Sequence, residues 1–176
     1  LETGKLTILD PPAAFRLDIV TRISPAANTH LEGLYMWGGR FCTQCEAEGF
    51  RAITYALDRL DVLAPCAVRI EGDKAAYPML MANGNLTESG DMEGGRHYAV
   101  WVDPHPKPSY LFALVAGAFD SIYDEFRTSG GRNVKLGIHV DPGDAERARY
   151  AMDALKRSMK WDEQVFQREY DLDVFN

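Results

Sequence analysis

RHYAVWVDPHPKPSYLFALVAG, at residues 96–117, is the stretch of this sequence that most clearly indicates a β-fold. Alternate residues from Tyr98 to Val102 share one face, as side chains do on a strand. The prolines between residues 104 and 108 fix φ and exclude a helix, so they predict an extended connection. The apolar run 110–115 then has the length of a buried strand. Two strands joined by a rigid extended link are therefore expected here.

Upstream of this stretch, short apolar runs alternate with turn residues, which is typical of β-structure. The predicted elements are a half-buried strand at 15–20, strands at 34–37, 67–70 and 79–81, and a short helix at 49–57. Asn83-Gly84 has the composition of a hairpin turn, which predicts pairing between 79–81 and the segment at Leu86. Gly94-Gly95 predicts a second turn just before residue 96.

After Phe119 the pattern predicts one β-hairpin and one amphipathic helix. Apolar residues at 122 and 126, and at every second position from 134 to 140, predict two strands, with Ser129-Gly130-Gly131 as their turn. Asp141 is a suitable helix cap, with Pro142 at the first helical position. The helix carries one apolar stripe, formed by Ala148, Met152, Leu155 and Met159 and continuing to Phe166. This unit is expected to be too small to cover that stripe, which predicts self-association or a loosely held helix.

The change of pattern near residue 118 predicts two parts, a β-rich unit at 1–118 and the beginning of a second unit at 119–176. With 46% hydrophobic and 26% charged residues, the composition is that of a globular protein. The first residue is leucine, which suggests that the chain is cut from something longer. No apolar run approaches the roughly 20 residues that a membrane span needs, so no membrane partner is expected.

Charge and cysteine content exclude two further classes. The net charge of −7, without a basic cluster, disfavours nucleic acid as a partner, because an acidic chain repels phosphates. Three cysteines, at 42, 45 and 66, do not form the framework of a secreted disulfide-rich domain. Reduced thiols and a cytoplasmic location are therefore expected.

The densest polar segment, FCTQCEAEGF at residues 41–50, allows several kinds of chemistry. Cys42 and Cys45 form C-x-x-C, but the redox interpretation needs a βαβ context and the structural zinc interpretation needs four ligands. Two buried thiols that act as small hydrophobes are the preferred interpretation. Glu46 and Glu48 are candidates for an acid/base pair, yet no matching nucleophile or metal site accompanies them, and Glu48 is expected to be a solvated charge.

Gln44 and Glu46 suggest a different use of the same segment. Residues two apart on an extended chain point to the same side, so an amide carbonyl and a carboxylate would lie together, with Cys45 facing the core. Two acceptors, one of them charged, suit a primary ammonium group, which has three donors and a positive charge.

The run TQCEAEGF at 43–50 closely resembles the substrate-amine segment of the aminopeptidase N family, in its bacterial form. The resemblance extends over nearly the whole chain, and the matching segments occur in family order. Among them are ISPAANT at 23–29, EGLY at 32–35, GRHYAVW at 95–101, PKPSYLFALVAG at 106–117, SMKWDE at 158–163 and EYDLD at 169–173. One departure is Leu60, where the family usually has proline.

The resemblance implies a mainly β fold, an antiparallel sandwich or saddle, followed by the opening hairpin and helix of a thermolysin-like α+β catalytic domain. It implies that the parent protein is a zinc metallopeptidase that releases N-terminal amino acids from peptides, with Gln44 and Glu46 binding the free α-amine. Zinc is expected in the parent enzyme and none in this chain, because the family's His-Glu-x-x-His is absent. This chain alone is therefore expected to be inactive.

The resemblance also implies partners, namely peptides with a free N-terminus, the remainder of the catalytic domain and a C-terminal domain. Two other functions stay open on the residues alone. A non-catalytic β-sandwich that binds a partner would share the β pattern and the aromatic residues, and a thiol redox module would use Cys42 and Cys45.

Overall fold

Three β-sheets and one α-helix form the regular structure of residues 4–176, which are the residues that the computed structural model describes. The helix, α1, is Arg149–Phe166. The strands are β1 Gly33–Trp37, β2 Arg40–Gln44, β3 Ala64–Asp73, β4 Met79–Ala82, β5 Asn85–Met92, β6 Arg96–Lys107, β7 Leu114–Gly117, β8 Asp120–Arg127, β9 Asn133–Val140 and β10 Val174–Phe175. The predicted mainly β architecture is confirmed.

Strand β6 is the centre of the antiparallel sheet β3-β6-β5. The predicted alternation along it is confirmed, but the buried face carries Ala99 and Trp101, whereas Tyr98, Val100 and Val102 are only half-buried. The Trp101 Nε1–H donates to the Leu80 carbonyl at 2.9 Å, which anchors the large indole on the neighbouring sheet. Burial of this ring decides which face of β6 becomes the core.

The second sheet, β1-β2-β7-β4, is also antiparallel and shares its core with the first. That core comprises Ile70, Leu80, Ala99, Trp101 and Ala116. The strands predicted at 34–37, 67–70 and 79–81 all lie within β1, β3 and β4. Stacking of two sheets on one apolar core is the usual way for one-sided antiparallel sheets to bury their faces.

The turn predicted at Asn83-Gly84 is wrong. β4 pairs with β7 and β5 pairs with β6, so these two residues carry the chain from one sheet to the other. Gly84 has φ of 91°, and a Cβ placed there would lie 2.2 Å from the Val102 carbonyl oxygen. The glycine is therefore required by a close backbone crossing. Gly94-Gly95, in contrast, does form the predicted turn between β5 and β6.

The boundaries of two other predicted elements, the link at 104–108 and the strand at 110–115, also differ from the structure. The link predicted at residues 104–108 is largely a continuation of β6, with its prolines opposite a bulge between Ala64 and Cys66 that spares them from the ladder. The strand predicted at 110–115 begins only at Leu114, because Ser109–Leu111 forms a 3-10 turn.

Upstream, the strand predicted at 15–20 is absent, and Phe15 and Leu17 are about half exposed. The alternating pattern is real, but within residues 4–176 no strand pairs with it. The helix predicted at 49–57 is a short 3-10 turn, Gly49–Ala52.

The predicted hairpin after Phe119 is confirmed as β8 and β9, which pair antiparallel, while β10 joins β9 in parallel. The helix begins later than predicted, at Arg149, after the 3-10 turn Ala145–Ala148. Asp141 does not cap it, because its carboxylate accepts from Arg40, and Gly143 has φ of 95°, which is incompatible with a helix.

The expectation that the apolar stripe of α1 lacks an internal partner is wrong for Met152 and Met159, whereas Phe166, at the end of the stripe, is 60% exposed. Met152 and Met159 pack on Phe126, Val134 and Leu136 of the hairpin. Val134 and Leu136 are 0% and 1% exposed, so this small unit does possess a closed core. Among residues 4–176, no helix combines the length and apolar composition that a membrane crossing requires.

Candidate functional site

The segment with the strongest predicted chemistry lies where β2 ends. Gln44 is the last residue of β2 and is exposed, Cys45 is only 2% exposed, and Glu46 is exposed in the turn that follows. Cys45 is buried between two exposed neighbours, as predicted. The segment is not the extended one that was predicted, however, because β2 ends at Gln44 and the Gly49 N–H then donates to the Cys45 carbonyl at 2.8 Å to close a tight turn.

Gln44 and Glu46 are also connected through their own atoms. The Gln44 Nε2 donates to the Glu46 backbone carbonyl at 3.2 Å, which uses one of its two amide hydrogens inside the turn. Within residues 4–176, no hydrogen-bond donor reaches the Gln44 Oε1 or the Glu46 carboxylate. Two side-chain acceptor groups, one neutral and one charged, are thus presented at the same turn. Their role in binding an amine stays a prediction.

Gly49 holds this turn close to the strand pair beneath it. A Cβ at Gly49 would lie 2.4 Å from the Gln44 carbonyl oxygen and 3.3 Å from the Gly33 nitrogen. Phe50, the next residue, packs edge-on against Phe112 with ring centroids 5.1 Å apart. The turn is therefore set on rigid structure, as a binding site for a small group requires.

A buried carboxylate, which the sequence did not reveal, lies behind the turn. Asp58 is 5% exposed and accepts from the Arg51 backbone N–H at 3.0 Å, from the Arg51 Nε at 3.1 Å and from the Ser109 hydroxyl. Burial by itself raises the pKa of Asp58, but the hydrogen bonds from Ser109 and Arg51 outweigh it and hold that pKa below its ordinary value. The resemblance to the family includes residues 56–62, but nothing in this mostly polar segment indicated that Asp58 is buried.

The three cysteines are free, and their surroundings disfavour redox chemistry. Burial, and to a smaller extent the charge of Asp58, raises the pKa of Cys45 to about 11. Burial also raises the pKa of Cys42, and Arg40 offsets only part of that effect. A reactive thiol needs a lowered pKa, so both environments act in the wrong direction.

Cys45 is therefore expected to resist alkylation in the folded protein. With a pKa of about 11, only about one thiol in a thousand is ionised near pH 8, and burial adds a steric barrier. Labelling with a maleimide, followed by mass spectrometry, should be at least ~100-fold slower at Cys45 than in the urea-unfolded chain. Labelling at similar rates in both states, or ready formation of a Cys42–Cys45 disulfide, would contradict this expectation.

A metal site in the same segment, or at the histidines, would need several ligands close together. In the part of the chain that the structure describes, no three His, Cys, Asp or Glu side chains come together in a group that could hold a metal ion. These residues therefore do not themselves fit a zinc ion, and they support no chemical step through one.

The sequence of residues 4–111 matches the family described as the Peptidase M1 N-terminal domain. This match covers more than half of the chain and includes the turn that carries Gln44 and Glu46. The chain belongs to this family.

Relatives of this M1 chain match it well beyond residue 111. Aminopeptidase N of Caulobacter vibrioides is 59% identical over 175 residues, which are 99% of this chain and 20% of that protein. This M1 chain thus spans about a fifth of the length of the curated relatives it matches.

Solved structures carry the same fold. The crystal structure of Legionella pneumophila aminopeptidase A in complex with aspartic acid has a TM-score of 0.80 and 38% identity, covering 84% of this chain and 17% of that one. A two-domain M1 zinc metallopeptidase bound to L-arginine has a TM-score of 0.69, covers 82% of this chain and 32% of its own, and at 17% identity shows the fold alone.

Proposed function

We propose that this chain is part of a zinc aminopeptidase and that it supplies the subsite for the free α-amine of a peptide substrate. The observation that carries the proposal is the pair of exposed acceptors, Gln44 and Glu46, on a turn fixed to the sheet below. The family and the name of a relative that is 59% identical over 99% of the chain support it.

The chemistry of an ammonium group explains why this pair suits exopeptidase selectivity. An α-ammonium that enters a closed site loses its water, and a carboxylate at hydrogen-bond distance compensates for that loss. Glu46 supplies the charge, and the Gln44 carbonyl orients the amine as a neutral acceptor. An internal peptide bond offers no positive charge, so this subsite selects the chain terminus.

The same proposal assigns the remaining parts of the enzyme. Residues 119–176 would begin a thermolysin-like catalytic domain, following the N-terminal β-domain at 1–118. The zinc would polarise the scissile carbonyl and would be held by residues outside this chain, in the remainder of the catalytic domain. That remainder and a C-terminal domain are its proposed partners. Three free thiols agree with a cytoplasmic location.

A non-catalytic β-sandwich that binds a partner is not favoured, because relatives that match nearly the whole chain are named as aminopeptidases. The thiol redox alternative is disfavoured by the raised pKa values of Cys42 and Cys45.

The full-length gene product is therefore expected to release leucine from a leucyl peptide and to lose that activity on zinc chelation. The N-acetylated form of the same peptide should be cleaved at least ~100-fold more slowly, because acetylation removes the positive charge that Glu46 would bind. Release of the amino acid measured by mass spectrometry tests both points, with zinc added back as the control. Equal cleavage of the acetylated peptide would contradict an amine subsite.

A further inference from the structure

We infer that Asp58 is a positioning residue of the amine subsite, which holds the Glu46 turn in place through Arg51 and Ser109. The inference rests on the proposed function and deepens it, since it concerns how the same subsite is kept in shape. Asp58 itself is buried, and both of its carboxylate oxygens accept hydrogen bonds from this chain.

The Asp58 carboxylate joins two separate segments. One oxygen accepts both the backbone N–H and the Nε of Arg51, at 3.0 and 3.1 Å, and so holds the 3-10 turn Gly49–Ala52 that follows the Glu46 turn. The other oxygen accepts from Ser109, in the 3-10 turn that precedes β7. The Arg51 Nη2 also donates to the Asp58 backbone carbonyl at 2.9 Å.

Arg51 then extends this network into the turn itself. Its guanidinium lies 3.1 Å from Asp58 and 3.3 Å from Glu48, which is two residues after Glu46. The Glu48 contact is exposed and weak on its own, but the Asp58 contact is buried on the carboxylate side, where side-chain position is strongly restricted. The turn is thus held mainly at Gly49 and, through Arg51, by Asp58, while no donor within residues 4–176 occupies the Glu46 carboxylate.

This restraint matters because a mobile turn must be ordered when an amine binds. Ordering costs conformational free energy, which is subtracted from the affinity that the carboxylate provides. Loss of Asp58 would leave Arg51 and Ser109 without their common acceptor and would loosen the turn. The affinity for groups that touch only other parts of the site would be unaffected.

Two inhibitors that differ only in the amine separate this role from general stability. Leucine hydroxamate has the free amine, and isocaproic hydroxamate lacks it. In the full-length enzyme, the ratio of their inhibition constants reports the amine subsite alone and does not depend on how much of the enzyme is folded. The variants are Asp58→Ala, Asp58→Asn and Ser109→Ala, with Glu46→Gln as the reference. Asp61→Asn serves as the matched control, since Asp61 is an exposed carboxylate paired with Arg59 in the same loop.

Asp58→Ala is expected to reduce the preference for the amine-bearing inhibitor by about tenfold, and Ser109→Ala by about threefold. Asp58→Asn keeps the shape of the side chain and one acceptor, so its preference for the amine-bearing inhibitor should fall only about threefold. This variant can still be measured if Asp58→Ala fails to fold. Asp61→Asn should leave the preference unchanged.

An unchanged preference in Asp58→Asn and Ser109→Ala, with a reduced preference in Glu46→Gln, would overturn the role of Asp58 and leave the amine subsite standing. An equal loss for both inhibitors, or an effect of Asp61→Asn as large as that of Asp58→Asn, would overturn it as well. An unchanged preference in Glu46→Gln would instead overturn the proposed function, and the positioning role with it.

Discussion

Replacement of Glu46 by alanine in the full-length enzyme is expected to lower kcat/KM for free-amine substrates by about two orders of magnitude or more. Truncating one partner of a desolvated charge pair costs about 2–5 kcal/mol, and each ~1.4 kcal/mol is tenfold in rate. The exposed carboxylate of Glu46 has no hydrogen-bond donor within residues 4–176, so its removal leaves no group of the chain unpaired. The loss should therefore fall on the substrate amine.

Gln44→Ala is expected to reduce kcat/KM less, by the equivalent of about 1 kcal/mol, as for loss of a neutral hydrogen bond. Glu93, an exposed carboxylate in the turn before β6, provides the matched control, and Glu93→Ala should keep normal activity. Zinc content should be the same in all three variants, because within residues 4–176 none of these side chains belongs to a group that could hold a metal ion. Steady-state kinetics with a leucyl substrate tests this order, and near-normal kcat/KM in Glu46→Ala would show that the amine is bound elsewhere.

The sequence was most informative where a strand pairs with the next strand along the chain. The alternation from 134 to 140 and the turn at 129–131 predicted the β8-β9 hairpin, because its two strands are adjacent in the chain. Pairing between distant strands was not predictable in this way. Asn83-Gly84 has the local composition of a hairpin, yet β4 and β5 find their partners in different sheets. Local turn chemistry does not determine which long-range pair forms.

Burial was less predictable than periodicity. An alternating pattern identifies two faces, but the packing of Trp101 onto β4 decided which face of β6 is the core. The stripe on α1 was also identified, but the cover of its Met152–Met159 part was underestimated, since two strands with Val134 and Leu136 at their centre suffice for it. Phe166, at the far end of the stripe, stays exposed. Whether a short unit can bury its apolar residues depends more on how closely they pack than on the number of residues in the unit.

For the candidate site, the sequence supplied the residues that face outward and missed the one that holds them. Gln44 and Glu46 belong to a motif that is contiguous in the chain. Asp58 acts through Ser109, which is 51 positions away, and such a contact leaves no periodic or local pattern. Its burial depends on donors from two loops, which only the folded chain brings together.

Gly49→Ala adds one methyl group where the turn lies close to the end of β2. The new Cβ would lie 2.4 Å from the Gln44 carbonyl oxygen, which is a backbone atom and cannot rotate away. The turn and the end of β2 must therefore separate, and we expect Gly49→Ala to lower the local free energy of opening by about 3 kcal/mol, at the upper end for overpacking. Amide hydrogen exchange of β1 and β2 in the full-length protein measures this loss.

Gly72→Ala is the matched control for this change. Gly72 also has an ordinary backbone conformation, but its nearest neighbour, a Leu80 methyl group, would lie 3.5 Å from the new Cβ, which is normal van der Waals contact. Opening of β3 should change by no more than about 1 kcal/mol, since alanine reduces the entropy of the unfolded chain. Because Gly49 adjoins the Gln44–Glu46 pair, Gly49→Ala should also lower the affinity for leucine hydroxamate more than the affinity for isocaproic hydroxamate. Normal exchange and an unchanged inhibitor preference in Gly49→Ala would show that the turn can shift without cost, and that its close approach to β2 is not required for amine binding.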